Sequence, residues 1–193
     1  MKSNNNLNSL TCFLNRVLRK GMVHSPSSKT PYYYVVEHPK SGGTWVGQML
    51  ADYFDIPFPR NTLPKLGSQI LHCHEQKIYG NNKKIIAVIR DGRDVMVSYY
   101  YHSFFENDLY NQEHVKRVKK ELKFHDYHDV ENNMSKFIEF LYDKNYYPLM
   151  TWSAFTHNWI NNYSASIVRY EDLLVSVPDE LGSAIEKITN KAP

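Results

Sequence analysis

Two short basic loops hold the residue types best suited to chemistry. The first, Lys40-Ser41-Gly42-Gly43-Thr44, follows the apolar pair Val35-Val36 and leads through Trp45 into an apolar stretch at helical spacing. A loop that leaves a buried strand and enters a helix exposes the helix's first N–H groups. Those donors and the helix dipole favour a bound anion by about 0.3–1 kcal/mol, rising to about 2 kcal/mol where partly buried. Glycines let the backbone close around a phosphate, the hydroxyls of Ser41 and Thr44 add donors, and Lys40 adds a point charge. The order differs from the G-x-x-x-x-G-K-[ST] pattern of ordinary ATPases and GTPases, in which lysine follows the glycines. A plain strand-to-helix turn with a surface lysine is the competing reading of this stretch alone.

The second loop, Arg90-Asp91-Gly92-Arg93-Asp94, follows the apolar run Ile85–Ile89, with Ser98 eight residues after Arg90. An arginine at the carboxyl end of a strand can fork onto a phosphate with two parallel hydrogen bonds. Asp94 suits the cap or first turn of the helix that follows. Taken alone, pairing of Arg90 and Arg93 with Asp91, Asp94 or other nearby acids explains this loop equally well.

The elements that must position these loops alternate in type. Strands are predicted over Tyr32–Glu37, Gln69–Cys73, Ile85–Ile89 and Ser166–Arg169. Helices are predicted over Thr44–Phe54, Asp94–Phe105, Ser135–Tyr142, Thr151–Tyr163 and Asp179–Ile188, and for part (His114–Phe124) of the charged, His-rich stretch 106–133. That stretch is expected to be a solvated loop rather than a lid. The order predicts an α/β domain with a mostly parallel central sheet covered on both faces. Tyr32–Glu37 does not alternate, as expected of a strand buried on both sides. Eleven residues lie between Cys73 and Ile85, at the lower limit for a crossover, which puts the second strand at an edge or in a different pairing. Both basic loops then fall at carboxyl ends of parallel strands, where open α/β sheets bind ligands. Two anion sites on one sheet edge suit a nucleotide phosphorylated at both ends.

The chain has 193 residues, most simply one domain, with 42% hydrophobic and 22% charged residues. Its net charge of +3 suits an anionic ligand and falls short of a nucleic-acid-binding signature. The two cysteines, Cys12 and Cys73, lie far apart and show no metal-ligand spacing, which points to a reducing, cytoplasmic compartment without a metal site. Residues 1–31 form an N-terminal segment with neither a signal-peptide pattern nor a membrane span. In it, Leu10, Phe13, Leu14, Val17 and Leu18 recur at helical spacing, and the helix is expected to pack on the domain. Fifteen tyrosines exceed what a core requires. Tyr142, Tyr146, Tyr147, Trp152, Phe155 and Trp159 could wall a pocket, although Trp152, Phe155 and Trp159 have the spacing of core residues.

Pro39-Lys40-Ser41-Gly42-Gly43-Thr44-Trp45 resembles the PKSGTTW loop of sulfotransferases that use 3′-phosphoadenosine 5′-phosphosulfate (PAPS). Arg90 through Ser98 resembles their second signature, and Arg169-Tyr170-Glu171-Asp172-Leu173 their later Y-E-D-L segment. Order and spacing agree over roughly residues 32–190. The resemblance implies a fold like that of nucleotide kinases, sulfuryl transfer to a hydroxyl or amine, and no metal requirement. It implies that Lys40, Ser41, Gly42, Gly43 and Thr44 hold the 5′-phosphosulfate end and that Trp45 and Tyr170 lie near the adenine. Arg90 and Ser98 would hold the 3′-phosphate. His74, in Ile70-Leu71-His72-Cys73-His74, falls at the family's general-base position; His72 falls where a second lysine is common, and Glu75 is a fallback base.

Three departures accompany the resemblance. Gly43 stands where the family loop has a threonine, which removes a hydroxyl but keeps an N–H donor. Gly92 replaces a common proline. The basic, glycine-containing stretch that closes over the 3′-phosphate in the family does not appear before Pro193, which suggests a fragment, a substitute element or weakened cofactor binding. The competing functions are a PAPS-binding module with little turnover and a P-loop kinase or NTPase. The acceptor (a small molecule, glycan or lipid) and the oligomeric state are not legible in the sequence.

Overall fold

Tyr34 to Glu37 are buried in succession, as are Ile85 to Val88, so both faces of these strands need cover. The structure is a computed structural model that describes residues 3–25, 31–60, 62–65, 67–78, 84–105, 111–143, 151–162 and 164–189. In chain order its elements are α1 (Ser3–Val23), β1 (Tyr32–Glu37), α2 (Gly43–Phe54), β2 (Gln69–Cys73), β3 (Lys84–Ile89) and α3 (Gly92–Phe104). There follow α4 (Gln112–Glu121), α5 (Val130–Asp143), α6 (Trp152–Ile160), β4 (Ala165–Arg169), α7 (Tyr170–Val175) and α8 (Val177–Thr189). The four strands form a parallel sheet in the order β2-β1-β3-β4. The expected α/β architecture is present, and β2 lies at an edge, one of the two placements expected from its short connection to β3.

Alternate residues of the central strands feed two cores. Val35, Ile86, Val88 and Val168 face α2 and α8 through Val46, Leu50, Leu181 and Ile185. Tyr34, Val36, Ile85 and Ala87 face Phe155 and Trp159 of α6. Each fully buried aliphatic or aromatic side chain contributes about 1.5–3 kcal/mol of transfer free energy, which is what holds helices to both faces. A third cluster joins α3, α4 and α5 through Tyr100, Phe104, Val118 and Phe137. Phe155 and Trp159 are therefore core, as their spacing suggests. Tyr146, Tyr147 and Tyr163 lie outside the described residues, as do 106–110 of the charged stretch.

The N-terminal helix corrects one expectation. Phe13, Leu14, Val17 and Leu18 are exposed, by 43–62%. Its attachment is at the other end, where Val23 is buried, Met22 packs beside it, and the Arg19 Nη2 donates to the Thr62 carbonyl at 3.0 Å. The stripe thus follows helical geometry without being covered by the body. No helix among the described residues is long and apolar enough to cross a membrane.

Candidate functional site

The β1–α2 loop makes its turn with two left-handed residues, Lys40 (φ 75°) and Gly42 (φ 99°). Glycine fits such a φ; for lysine it costs about 1–3 kcal/mol, a strain that surrounding contacts must hold. One such contact is the Arg90 Nη1, which donates to the Lys40 carbonyl at 3.3 Å. A side chain at Gly42 would also meet the Tyr170 ring at 2.5 Å. Ser41 is buried beneath the loop, and its Oγ has no hydrogen-bond partner among the described residues. Gly43 opens α2, and its N–H is already engaged: it donates to Glu37 Oε2 at 2.6 Å. That donor is therefore committed inside the protein, contrary to the expectation that it serves the anion.

Glu37 ends β1 and is 4% exposed. Its Oε1 accepts from the His72 Nε2 at 2.8 Å, and its main-chain carbonyl accepts from the His74 Nδ1 at 3.0 Å. A carbonyl only accepts, so Nδ1 of His74 carries the proton and Nε2 of the neutral ring carries the lone pair. The two imidazoles meet edge to face at 4.9 Å. Burial alone would raise the Glu37 carboxyl, but the His72 hydrogen bond, the histidine charges and the Gly43 N–H together hold it below the usual range. His74 is pushed below its ordinary value, first by burial and then by His72, with Glu37 acting against both. Burial and His72 thus favour the neutral imidazole of His74. Donor atoms of Glu37, His72 and His74 lie within 4.8 Å of one another, close enough to hold a metal ion. The hydrogen bonds among them account for the same cluster without one.

At the end of β3, Asp91 caps α3 by accepting from the Arg93 N–H at 2.9 Å and also pairs with the Arg93 side chain. Arg93 is therefore a surface ion-pair partner. Asp94 sits in the first turn. Arg90 takes a different course: its guanidinium lies 4.3 Å from the Tyr170 ring centre, and Nη2 is 3.9 Å from Asp94. Its Nε is buried without a hydrogen-bond partner among the described residues. The Arg90 carbonyl accepts from the Trp152 indole at 3.0 Å, and the Asp91 N–H donates to Glu171 at 2.8 Å. Tyr170, the first residue of α7, meets Trp45 edge to face at 5.8 Å.

One cavity of about 640 Å³ opens between these groups. Lys40, Gly42, Thr44, Trp45, His72, His74, Arg90, Ser98 and Tyr170 all line it, at the carboxyl edge of β1, β2 and β3. Ser41 and Gly43 are not among its lining residues; they shape the loop from beneath. Glu75 instead lies 3.6 Å from His24, at the Nε2. Gln48, Arg60, Tyr99 and His102 also line the cavity and were not anticipated. Nor was Glu37, although a charged residue closing the apolar run Val35-Val36 is itself a signal.

A family model described as "Sulfotransferase domain" matches residues 57–186. The match includes β2, β3 and the Tyr170 segment, and begins after the Lys40 loop. No curated protein matches the chain, and no solved structure does.

Proposed function

The chain belongs to the sulfotransferase-domain family, and from that premise we propose that it binds PAPS between the Lys40 and Arg90 loops and transfers the sulfuryl group with His74 as general base. The observation that carries this reading is that both basic loops and His74 open onto a shared cavity. The family uses PAPS, which supplies an activated sulfuryl group and leaves as 3′-phosphoadenosine 5′-phosphate. Residues of this chain fit such a ligand. The cavity carries three cations, Lys40, Arg60 and Arg90, beside the aromatic faces of Trp45 and Tyr170. The buried Arg90 Nε, lacking a partner among the described residues, is a donor suited to an anionic guest.

In this reading Lys40 and Thr44 hold the 5′ end, with Ser41 and Gly43 setting the loop's shape. Arg90 and Ser98 hold the 3′-phosphate, and Trp45 and Tyr170 flank the base. The Nε2 of His74 takes the proton from the acceptor hydroxyl or amine, as its neutral state and tautomer allow. Lys40 neutralises negative charge at the first loop as that charge grows. The acceptor is a small molecule, glycan or lipid, and the two widely spaced cysteines favour a reducing, cytoplasmic compartment.

Calorimetry with 3′-phosphoadenosine 5′-phosphate and with ATP, both in EDTA, tests the donor assignment. The doubly phosphorylated nucleotide should bind at least about tenfold more tightly, since each lost charge-assisted hydrogen bond costs about 1.5–3 kcal/mol. Equal or tighter ATP binding would overturn it. Sulfuryl transfer to an acceptor panel, also in EDTA, tests the reaction; dependence on added metal would reassign Glu37, His72 and His74 as metal ligands.

A further inference from the structure

Among the described residues that line the cavity, Glu37 is the only carboxylate. A buried negative charge beside a site for anions opposes binding unless it is committed elsewhere. Every polar atom it offers is committed. Oε2 accepts from the first residue of α2, Oε1 from His72, and the main-chain oxygen from His74. We propose that Glu37 is a positioning residue that ties the start of α2 and the His72–His74 pair into one unit, fixing the spacing between the anion loop and the proton acceptor. This rests on the reading of His74 as the base.

Gly43 is the counterpart of that carboxylate. A methyl group there would lie 2.7 Å from the Glu37 carboxyl carbon and 2.9 Å from Cγ. No side chain fits while Glu37 keeps its place, so the threonine of the PKSGTTW loop is incompatible with this carboxylate. Glu37 and Gly43 therefore form a matched pair: one supplies the anchor, the other the room for it. The residue that departs from the family loop and the acid that the two motifs did not reveal have a common cause.

The pairing has a signature in acid. The charged groups acting on His74 are His72 from β2, Glu37 from β1 and Arg60 from the loop after α2, with Lys40, Arg90 and His102 lining the same cavity. Of these, Glu37 alone favours the protonated ring. Glu37→Gln keeps the shape, accepts from Gly43 and donates to His72 in its other tautomer, but removes the negative charge. His74 should then titrate at lower pH, and the acid limb of kcat/KM should move with it.

The test follows His74 by proton NMR titration of the protein without nucleotide, together with pH–rate profiles. In Glu37→Gln the His74 titration and the acid limb should both shift downward. The kcat should fall about 10–100-fold through misplacement of the base, while affinity for 3′-phosphoadenosine 5′-phosphate changes less than about threefold. Gly43→Ala, which touches neither base nor acceptor, should displace the carboxylate and shift both in the same direction; it carries the test if Glu37→Gln does not fold. Adding His74→Ala to either variant should cost far less than in the parent protein. A parent enzyme that transfers sulfuryl groups, with variants whose titrations do not move and whose effects add to those of His74→Ala, would sink the role of Glu37 alone. A parent that transfers none would sink the function itself, and this role with it.

Discussion

With its Nδ1–H given to the Glu37 carbonyl, His74 has one nitrogen left for an incoming proton. Replacing it should therefore remove a chemical step and little else. His74→Ala should lower turnover by about 10²-fold or more, while affinity for 3′-phosphoadenosine 5′-phosphate survives, as single-turnover kinetics and calorimetry would show. Because burial and His72 hold the ring below its ordinary value, loss of kcat/KM on acidification should begin below the usual histidine range. Arg90 has a different kind of role. It supports the Lys40 carbonyl, lies on Tyr170 and retains a buried Nε without a partner among the described residues. Arg90→Ala should weaken a 3′-phosphorylated nucleotide far more than its 3′-dephospho analogue in competition binding. Equal losses would show that Arg90 only supports the loop.

At the scale of elements, α4 presents a titrating group to the third cluster. His114 meets the buried Ser103 at 3.1 Å and stacks on His102 with centroids 5.4 Å apart. Burial first, then the charges of His102 and Arg117, push it down from 6.5 to about 4. Between those two values the unfolded chain takes up a proton that the folded protein refuses, so folding stability falls as the pH drops. Thermal melts between pH 7.5 and pH 4 should show Tm declining most steeply in that window, and His114→Asn should flatten the decline. Element boundaries were only partly legible beforehand. The strands stand out because unbroken apolar runs such as Ile85 to Val88 need cover on both faces. Helix α7, six residues long, is too short for periodicity to show, and tertiary contacts made by Leu173 define it instead.

For the whole molecule, the sequence made the two loops legible and left the link between them obscure. Lysine, glycines and arginine at strand ends declare their chemistry locally. Glu37 does not: its partners lie 6, 35 and 37 residues away, and only the fold brings them together. The N-terminal stripe fails for a similar reason, since spacing defines a helical face but not what covers it. The three tryptophans have a practical consequence. Trp45 is 37% exposed at the cavity, Trp152 holds the Arg90 carbonyl, and Trp159 is sealed in the core with its indole on the Glu75 carbonyl. The enzyme thus contains its own optical gauge with a built-in standard. Nucleotide arrival should alter the emission of Trp45 while Trp159 stays constant, and Trp45→Phe should remove most of the change. Occupancy of the cavity can then be followed on the millisecond scale, without a label and without turnover.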